Sequence, residues 1–181
     1  KLDMTKEDPD MAGTLIGTGI GGIHVMEDTI LQIEKRGPGK VNPFAIPMMI
    51  ANMASGQVSI TLGLRGPVLT DVTACASGTN SIGLAARLIK YGDADIMIAG
   101  GAEAAVSKAP MAGFAAMKAL SSRDCPPEEA SCPFDAGRDG FVLGEGSGVL
   151  VLEELEHAKK RGAHIYAELA GYGSNGDAYH I

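Results

Sequence analysis

Residues 67–99 read PVLTDVTACASGTNSIGLAARLIKYGDADIMIA, and this stretch decides the fold class. Its first eight residues carry β-branched and apolar side chains that favour a strand over 67–74. A helical pattern follows, with one apolar stripe and an end at Gly92. Residues 93–104 then give a second strand that is apolar on both faces. A strand, a helix and a buried strand in this order predict an α/β layered fold with a mostly buried sheet.

The same alternation of strands and helices continues on both sides of this stretch. Short apolar runs predict further strands at 12–19, 141–155 and 164–175. Helices are predicted at 21–37 and 46–64, a helix-and-turn segment at 108–122, and a short exposed helix at 153–162. A long loop with few apolar side chains separates two of these elements, at 121–140. Because no linker or internal repeat divides the sequence, we predict a single segment over residues 1–181.

The composition argues against several classes of function. The chain has 181 residues, of which 45% are hydrophobic, enough for a sizeable core. A net charge of −7 and an aromatic content of 4% argue against a nucleic-acid-binding surface. No apolar run approaches the ~20 residues of a membrane-spanning helix, so no membrane association is expected. Three cysteines, an odd number, predict a reducing compartment, the cytoplasm. Cys125 and Cys132 lack the usual zinc-ligand spacing, so no metal site is expected.

The glycine-rich segment GTGIGG, residues 17–22, lies between a predicted strand and a predicted helix. Gly17, Gly19 and Gly22 match the dinucleotide-binding pattern G-x-G-x-x-G. That pattern also needs a second strand ending in an acidic residue about 20 positions later. The corresponding region, RGPGKVNPFAIP at 36–47, has neither. We therefore favour a tight turn with close backbone packing over a nucleotide site.

Cys75 is the strongest candidate for chemistry in the sequence. It lies between the predicted strand 67–74 and a helix expected to begin near Ser77. Unpaired N–H groups at a helix N-terminus stabilise a thiolate and could also hold an oxyanion on a bound carbonyl group. The small neighbours of Cys75 would let an acyl group approach. A small buried cysteine without a chemical role is the alternative, and the local pattern alone leaves both open.

A histidine partner for Cys75 is not evident from the sequence, although a catalytic cysteine usually needs one. His157 lies on a charged helix and is expected to be solvated. The other three histidines also lack a distinctive setting and are expected to be structural: His24, His164 and His180.

Several longer motifs resemble those of one known family. They are TACASG (73–78), YGDADIMIAGGAEA (91–104), RDGFVLGEG (138–146) and DAYH (177–180), with GTGIGG and ANMASGQVSITLGLRGP upstream. The motifs follow one another in register from about Met11 to His180. The sequence therefore resembles the β-ketoacyl-acyl-carrier-protein synthase II family, the condensing enzymes of fatty acid elongation.

The resemblance implies a thiolase-like layered α-β-α fold. In that fold two similar halves each contain a five-stranded sheet, and the nucleophilic cysteine begins the central helix of the first half. The chain would then be mostly the first half, without its first strand, together with the start of the second half. The family's two catalytic histidines and its lysine are expected beyond Ile181. The chain by itself is accordingly expected to be inactive.

The resemblance also implies a reaction and its partners. Cys75 would accept an acyl group from acyl carrier protein as a thioester. A decarboxylative Claisen condensation with malonyl-acyl carrier protein would then give a 3-oxoacyl-acyl carrier protein two carbons longer. The substrates would be carried on the phosphopantetheine of the carrier protein, with no further cofactor and no metal. The family is dimeric, so a homodimer is expected, with contacts near the strand that leads into Cys75.

Further residues match family positions with roles in binding. Ile20 matches the residue that gates the acyl pocket, and Phe114 matches a phenylalanine that swings beside the nucleophile. Ala45 stands where the family often has a bulkier aromatic side chain. Three basic residues could form a patch for the acidic carrier protein: Lys40, Lys118 and Arg123. Core packing is the alternative for Ile20 and Phe114.

Two other readings of the family resemblance stay open at this point. One is another enzyme of the same fold, either a polyketide ketosynthase or a thiolase that uses coenzyme A. The other is a non-catalytic partner subunit similar to a chain-length factor. Such subunits usually replace the nucleophile, so the presence of Cys75 argues against this second reading.

Overall fold

The computed structural model describes residues 2–179, and the described chain groups into two compact units. Residues 2–20, 50–103 and 147–179 belong to the first unit. Residues 21–49 and 104–146 belong to the second unit. The prediction that residues 1–181 form one segment of a larger domain stays a prediction.

The first unit is built on a four-stranded sheet in the order β2-β1-β3-β4. The strands are β1 (Ala12–Gly17), β2 (Val68–Leu69), β3 (Ile96–Glu103) and β4 (Gly146–Glu153). β1 pairs in parallel with both β2 and β3, and its register with β3 runs from Ala12 opposite Ile96 to Gly17 opposite Gly101. Every residue of β1 is buried. The prediction of a mostly buried sheet is therefore right for β1 and the first part of β3, and wrong for β2 and β4, whose residues are mostly exposed.

Two apolar clusters cover the two faces of this sheet, because alternate side chains of a strand point to opposite faces. On one face, Leu15 and Met97 pack with apolar residues of helix α4 (Ser77–Tyr91). On the other face, Ala12 and Ile96 pack with residues that include Val58 of helix α3 (Met53–Leu62). A helix therefore lies on each face of the sheet, as the sequence predicts for an α/β layered fold.

Strand β2 is much shorter than the predicted strand 67–74, and Ser55 provides the physical reason. In the β1–β2 pair, Thr14 N–H donates to the carbonyl of Pro67 at 2.9 Å. At the next step of the ladder the Ser55 hydroxyl is inserted between the strands. It accepts from Ile16 N–H at 2.9 Å and donates to the Leu69 carbonyl at 2.6 Å. Because the side chain replaces the backbone hydrogen bond at this step, the regular ladder is interrupted there, and a further bond between the two segments, from Thr18 N–H to the Asp71 carbonyl at 3.3 Å, lies beyond it.

The predicted helix 46–64 is two helices, α2 (Ala45–Met49) and α3. The Met49 carbonyl accepts a hydrogen bond from Gly22 N–H at 2.9 Å, so it is engaged outside the helix. Met53 N–H bonds instead to the Ile50 carbonyl at 3.2 Å. The helical ladder is therefore interrupted between the two segments.

The second unit contains α1 (Ile23–Arg36), α2, α5 (Lys108–Ala116) and the short helix α6 (Pro127–Ala130). The carboxylate of Glu27 on α1 caps the start of α5, where it accepts from the Ser107 hydroxyl at 2.8 Å and from Ala109 N–H at 2.5 Å. Both hydrogen bonds lower the pKa of Glu27, and the one from Ala109 N–H has the larger effect. Most of the remainder of the second unit is loop, as predicted for 121–140.

The C-terminal part of the described chain differs from the prediction. After β4 and the helix α7 (Leu155–Lys160), residues 163–179 form neither helix nor strand. The predicted strand 164–175 is therefore wrong. Its apolar side chains Ile165, Tyr166 and Leu169 are exposed, and the segment joins no sheet within residues 2–179. β-propensity reflects packing against neighbouring strands, so an apolar stretch without such a neighbour forms no strand.

Candidate active site

The carboxyl ends of β1, β2 and β3 lie at the same edge of the sheet, because these strands are parallel. Ligand and active sites of open α/β sheets form at this edge. The residues that follow the three strands here include Thr18 and Gly19 after β1, and Asp71 to Ala76 after β2. Glu103 ends β3. Cys75 therefore lies at the edge where chemistry is expected.

Cys75 is exposed and lies in a single 3-10 turn, Ala74–Ala76, immediately before α4. The prediction that the helix begins near Ser77 is confirmed. Ala74 has a φ of 51°, in the left-handed region that residues with a Cβ avoid. The chain thus turns sharply just before the thiol, and the N–H groups of the first turn of α4 follow directly after it.

Glycines in β1, β3 and α4 let the first turn of α4 pack closely against the carboxyl ends of β1 and β3. A Cβ at Gly17 would lie 2.5 Å from the Ser77 carbonyl oxygen, closer than real contacts allow. Gly78 and Gly101 face each other across the same contact, since a Cβ at Gly101 would lie 3.1 Å from the Cα of Gly78. Gly17 of the GTGIGG segment thus permits close backbone packing. This agrees with the sequence-based interpretation of the segment as a tight turn with close packing and not as a nucleotide site.

Glu103 is a residue of this edge that the sequence analysis missed. Its carboxylate accepts from the Thr18 hydroxyl at 2.9 Å and from Gly19 N–H at 2.5 Å. It therefore fixes the loop that carries Ile20, which is 42% exposed. A Cβ at Gly19 would lie 3.7 Å from the Cα of Ala74, so this loop touches the turn before Cys75. An acidic residue at the end of a buried parallel strand is the signal that could have identified Glu103.

The other predicted site residues lie in the second unit. Phe114, on α5, is half-buried and contacts Phe141 edge-to-face, with ring centroids 5.0 Å apart. Lys40 is exposed in the 3-10 turn after α1. Lys118 is exposed just after α5, with a φ of 59°. Arg123 is half-buried, and its guanidinium donates to the carbonyl of Gly137. The roles predicted for Ile20, Cys75 and these four residues stay predictions.

The histidines that the structure describes are held in contacts of their own. His157 is not solvated as predicted, because its Nδ1 lies 2.6 Å from Glu153 and its Nε2 3.2 Å from Glu7. In the second unit, His24 Nε2 lies 3.3 Å from a carboxylate oxygen of Glu145. Two hydrogen bonds lower the pKa of Glu145, the larger effect coming from Val106 N–H and the smaller from His24. His164 stacks edge-to-face on Tyr166, and His180 lies outside the described residues.

Within residues 2–179, no group of three or more histidine, cysteine, aspartate or glutamate residues is arranged to hold a metal ion. In the same residues, no helix combines the length and the apolar character that crossing a membrane requires.

Comparison with known proteins identifies the class of fold first. A solved type II polyketide ketosynthase, in complex with its acyl-carrier protein, superposes with a TM-score of 0.93 and 41% identity; the match covers 99% of this chain and 45% of that one. A β-ketoacyl synthase from Burkholderia phymatum superposes with a TM-score of 0.87 and 37% identity, over 97% of this chain and 43% of that one. The fold is therefore the thiolase-like layered α-β-α fold of ketosynthases, mostly its first half.

The sequence comparisons then define the family. The model for the N-terminal domain of β-ketoacyl synthases matches residues 1–158, and the chain belongs to this family. The 3-oxoacyl-[acyl-carrier-protein] synthase 2 of Vibrio harveyi is 55% identical over 180 residues, 99% of this chain and 43% of the relative. The Staphylococcus aureus enzyme of the same name is 54% identical over 181 residues, 100% of this chain and 45% of the relative. The chain thus spans less than half the length of these relatives.

Proposed function

We propose that the full-length protein is a condensing enzyme of fatty acid elongation that uses Cys75 as its nucleophile. The observation that carries this proposal is the position of Cys75, exposed on a sharp turn directly before α4 at the carboxyl edge of a parallel sheet. The relatives named 3-oxoacyl-[acyl-carrier-protein] synthase 2, at 53–55% identity, support the same reaction class.

The reaction has two steps. In the first, the Cys75 thiolate attacks the thioester carbonyl of an acyl-acyl carrier protein, the bond from that carbonyl to the phosphopantetheine sulfur breaks, and the phosphopantetheine leaves as a thiolate. In the second, malonyl-acyl carrier protein loses carbon dioxide, and the resulting carbanion attacks the carbonyl of the Cys75 thioester. The cysteine leaves as thiolate, and the product is a 3-oxoacyl-acyl carrier protein two carbons longer. Backbone N–H groups at the start of α4 are suited to stabilise the oxyanion of each acyl transfer.

Acyl carrier protein is the proposed partner, and the substrates are carried on its phosphopantetheine without a further cofactor. Support comes from a structural relative, a ketosynthase solved in complex with its acyl-carrier protein. For this chain we propose that Lys40, Lys118 and Arg123 contact the carrier protein, and that Ile20 and Phe114 contact the acyl chain. Replacing Lys40 or Lys118 by glutamate is expected to raise the KM for carrier-protein substrates while leaving kcat unchanged.

We also propose a homodimer in the cytoplasm. β2 is an edge strand of the described sheet, and Val68, Leu69 and Val72 at or next to it are exposed, as suits an interface along this edge. Three free cysteines suit a reducing compartment. Sedimentation of the full-length protein tests the dimer, and charged residues at Val68 and Leu69 are expected to dissociate it.

Substitution of Cys75 tests the function. Cys75→Ser is expected to lower condensation of acyl- and malonyl-acyl carrier protein by at least about 1,000-fold, because a serine hydroxyl is far less ionised than a thiol at neutral pH. Cys75→Gln is expected to abolish condensation but to retain malonyl decarboxylation, which does not use the thiol. Iodoacetamide should inactivate the parent protein by modifying Cys75. Full condensation by Cys75→Ser would refute the proposal.

A polyketide ketosynthase is the second candidate, and the structural match to a type II polyketide ketosynthase favours it. A match of 35% identity, with a TM-score of 0.86, to the ishigamide ketosynthase/chain length factor points to a third, non-catalytic possibility. The retained Cys75 argues against the latter. Assay of the full-length protein with saturated acyl and with 3-oxoacyl carrier-protein primers separates the two enzymes, because only a polyketide ketosynthase would prefer the 3-oxoacyl primer.

A further inference from the structure

The turn before Cys75 has an unfavourable backbone conformation that needs support. Ala74 is not a glycine, yet its φ is 51°. A residue with a Cβ is held in this region only where surrounding contacts determine the conformation, and such residues cluster at functional sites. The structure shows two separate sets of hydrogen bonds that provide these contacts.

The first set comes from Ser77, the first residue of α4. Its buried hydroxyl accepts from Thr73 N–H at 2.9 Å and donates to the Ala74 carbonyl at 2.7 Å. Ser77 thus binds the backbone on both sides of Ala74.

The second set is a chain of side-chain hydrogen bonds that ends next to the turn. The Tyr172 hydroxyl donates to Oδ1 of Asn80 at 3.0 Å, and Nδ2 of Asn80 donates to Oγ1 of Thr73 at 2.9 Å. The Thr73 hydroxyl in turn donates to Oδ2 of Asp71 at 2.5 Å. All three bonds point toward the Asp71 carboxylate, an arrangement in which each bond polarises and strengthens the next. We call these four residues the Tyr172–Asp71 chain.

Tyr172 is held in place by α4 itself. Its ring lies directly on the helix backbone at Gly83, where an added Cβ would overlap the ring atoms. The guanidinium carbon of Arg87 lies 5.4 Å from the ring centroid, within range of a cation–π interaction. Glycine within a helix is intrinsically unfavourable. The contact with Tyr172 accounts for its presence at position 83.

We propose that the Tyr172–Asp71 chain consists of positioning residues that hold the Ala74 turn and so place the Cys75 thiol at the start of α4. This inference rests on the proposed function in one respect, that Cys75 is the nucleophile. Loss of the chain lets Ala74 relax to a negative φ, and the thiol then moves away from the N–H groups of the first helical turn. Because Cys75 is already exposed, easier access does not offset this loss.

The test compares alkylation rates of Cys75, Cys125 and Cys132 in the full-length protein, with iodoacetamide as the probe and peptide mass spectrometry as the readout. Thr73→Val removes the hydroxyl but keeps the branched shape, and it is expected to slow alkylation of Cys75 about fivefold to tenfold, as for the loss of one intramolecular hydrogen bond. Thr73→Ser retains the hydroxyl and should restore the parent rate. Cys125 and Cys132, both half-buried, serve as internal references whose rates should not change.

Two further variants probe the far end of the chain. Tyr172→Phe keeps the ring on Gly83 and removes only its hydrogen bond, so a smaller decrease of about twofold to threefold is expected. Gly83→Ala displaces the ring while favouring the helix, so it should slow Cys75 alkylation although it raises helix propensity. Gly56→Ala in α3, where the nearest atom to the new Cβ is at 3.5 Å, is the matched control.

The outcomes separate the positioning proposal from general effects and from the proposed function. An unchanged Cys75 rate in Thr73→Val, or an equal decrease in Thr73→Ser, would overturn the positioning role. Faster alkylation of all three cysteines would indicate unfolding in place of a local effect and would also overturn it. Condensation assays of Cys75→Ser test the nucleophile separately, since the alkylation comparison does not depend on turnover.

Discussion

Ala74 and Lys118 share a rare backbone conformation but reach it in different ways. Their φ values are 51° and 59°, and they belong to different compact units. Lys118 follows the last turn of α5, where its N–H bonds to the Ala115 carbonyl and Ala119 N–H to the Phe114 carbonyl, both at 3.0 Å. A left-handed residue is a common way to end a helix. Ala74 precedes a helix instead, and its support comes from Ser77 and from the more distant Asn80 and Tyr172.

The two turns differ in where their supporting hydrogen bonds come from. The Ala74 turn depends on side chains from separate parts of the chain, and α4 packs closely on the sheet beneath it. The Lys118 turn depends on its own helix. We therefore expect distant substitutions to disturb the Ala74 turn, and only local ones to affect the Lys118 turn.

The largest expected effect is that of Gly17→Ala, which removes the space beneath the first turn of α4. The new Cβ would lie 2.5 Å from the Ser77 carbonyl oxygen and 2.6 Å from the Ser81 hydroxyl. Overpacking of this kind is expected to lower the free energy of unfolding by about 2–3 kcal/mol, measured by urea titration of the full-length protein.

Gly113→Ala in α5 is the matched control, because nothing lies within 4 Å of its added Cβ. Alanine is the better helix former, so this variant should gain about 0.5–1 kcal/mol. Equal stability changes in the two variants would contradict the close packing of α4 on β1.

An intermediate effect is expected for Glu153→Gln in the first unit. The Glu153 carboxylate accepts two hydrogen bonds from Arg161, each of 2.6 Å, and one of its oxygens lies 2.6 Å from His157 Nδ1. Arg161 first, and His157 after it, hold the pKa of Glu153 below its usual value. Removing this charge is expected to cost about 1.5 kcal/mol at pH 7, as for hydrogen bonds to charged groups.

The pH dependence of Glu153 follows from the direction of its pKa shift. A carboxyl group whose pKa is lowered by folding stabilises the native state above its unfolded pKa, and this stability is lost as the pH falls through the folded pKa. The stability difference between parent and Glu153→Gln should therefore be full at neutral pH and shrink below about pH 4.5, the usual pKa of the group. Glu27→Gln, at a half-buried cap in the second unit, should show the same sign with a smaller effect. A difference that grows in acid would rule out this account.

Local sequence patterns predicted the parts of the fold that depend on local order. The helix that ends at Gly92, the buried β3 and the position of Cys75 just before α4 all follow from periodicity and glycine placement. The early end of β2 could not be predicted in this way, because it depends on Ser55, which lies 14 residues from Leu69 and 39 from Ile16. The contacts of Glu103 and Tyr172 likewise join residues 84 and 92 positions apart. Such pairs carry no periodic signal, so the supports of the candidate site became visible only in the structure.

The smallest expected effects come from glycine at the two left-handed positions, and they test the comparison most directly. Lys118→Gly removes the Cβ conflict at a local helix end, and it is expected to raise the free energy of unfolding by up to about 1 kcal/mol. Ala74→Gly relieves a similar conflict, but it also lets the turn adopt other conformations. Its stability should therefore change by less than about 0.5 kcal/mol, the range of substitutions without a specific mechanism.

The two glycine variants should differ in the reactivity of Cys75. Ala74→Gly is expected to slow iodoacetamide modification of Cys75 about twofold, because glycine reaches many conformations at little cost. Lys118→Gly should leave that rate unchanged. If Ala74→Gly instead stabilised the protein as much as Lys118→Gly and kept the parent rate, the Ala74 turn would be a local feature like the end of α5. The hydrogen bonds from Ser77 and Asn80 would then be a consequence of the turn's conformation and not its cause.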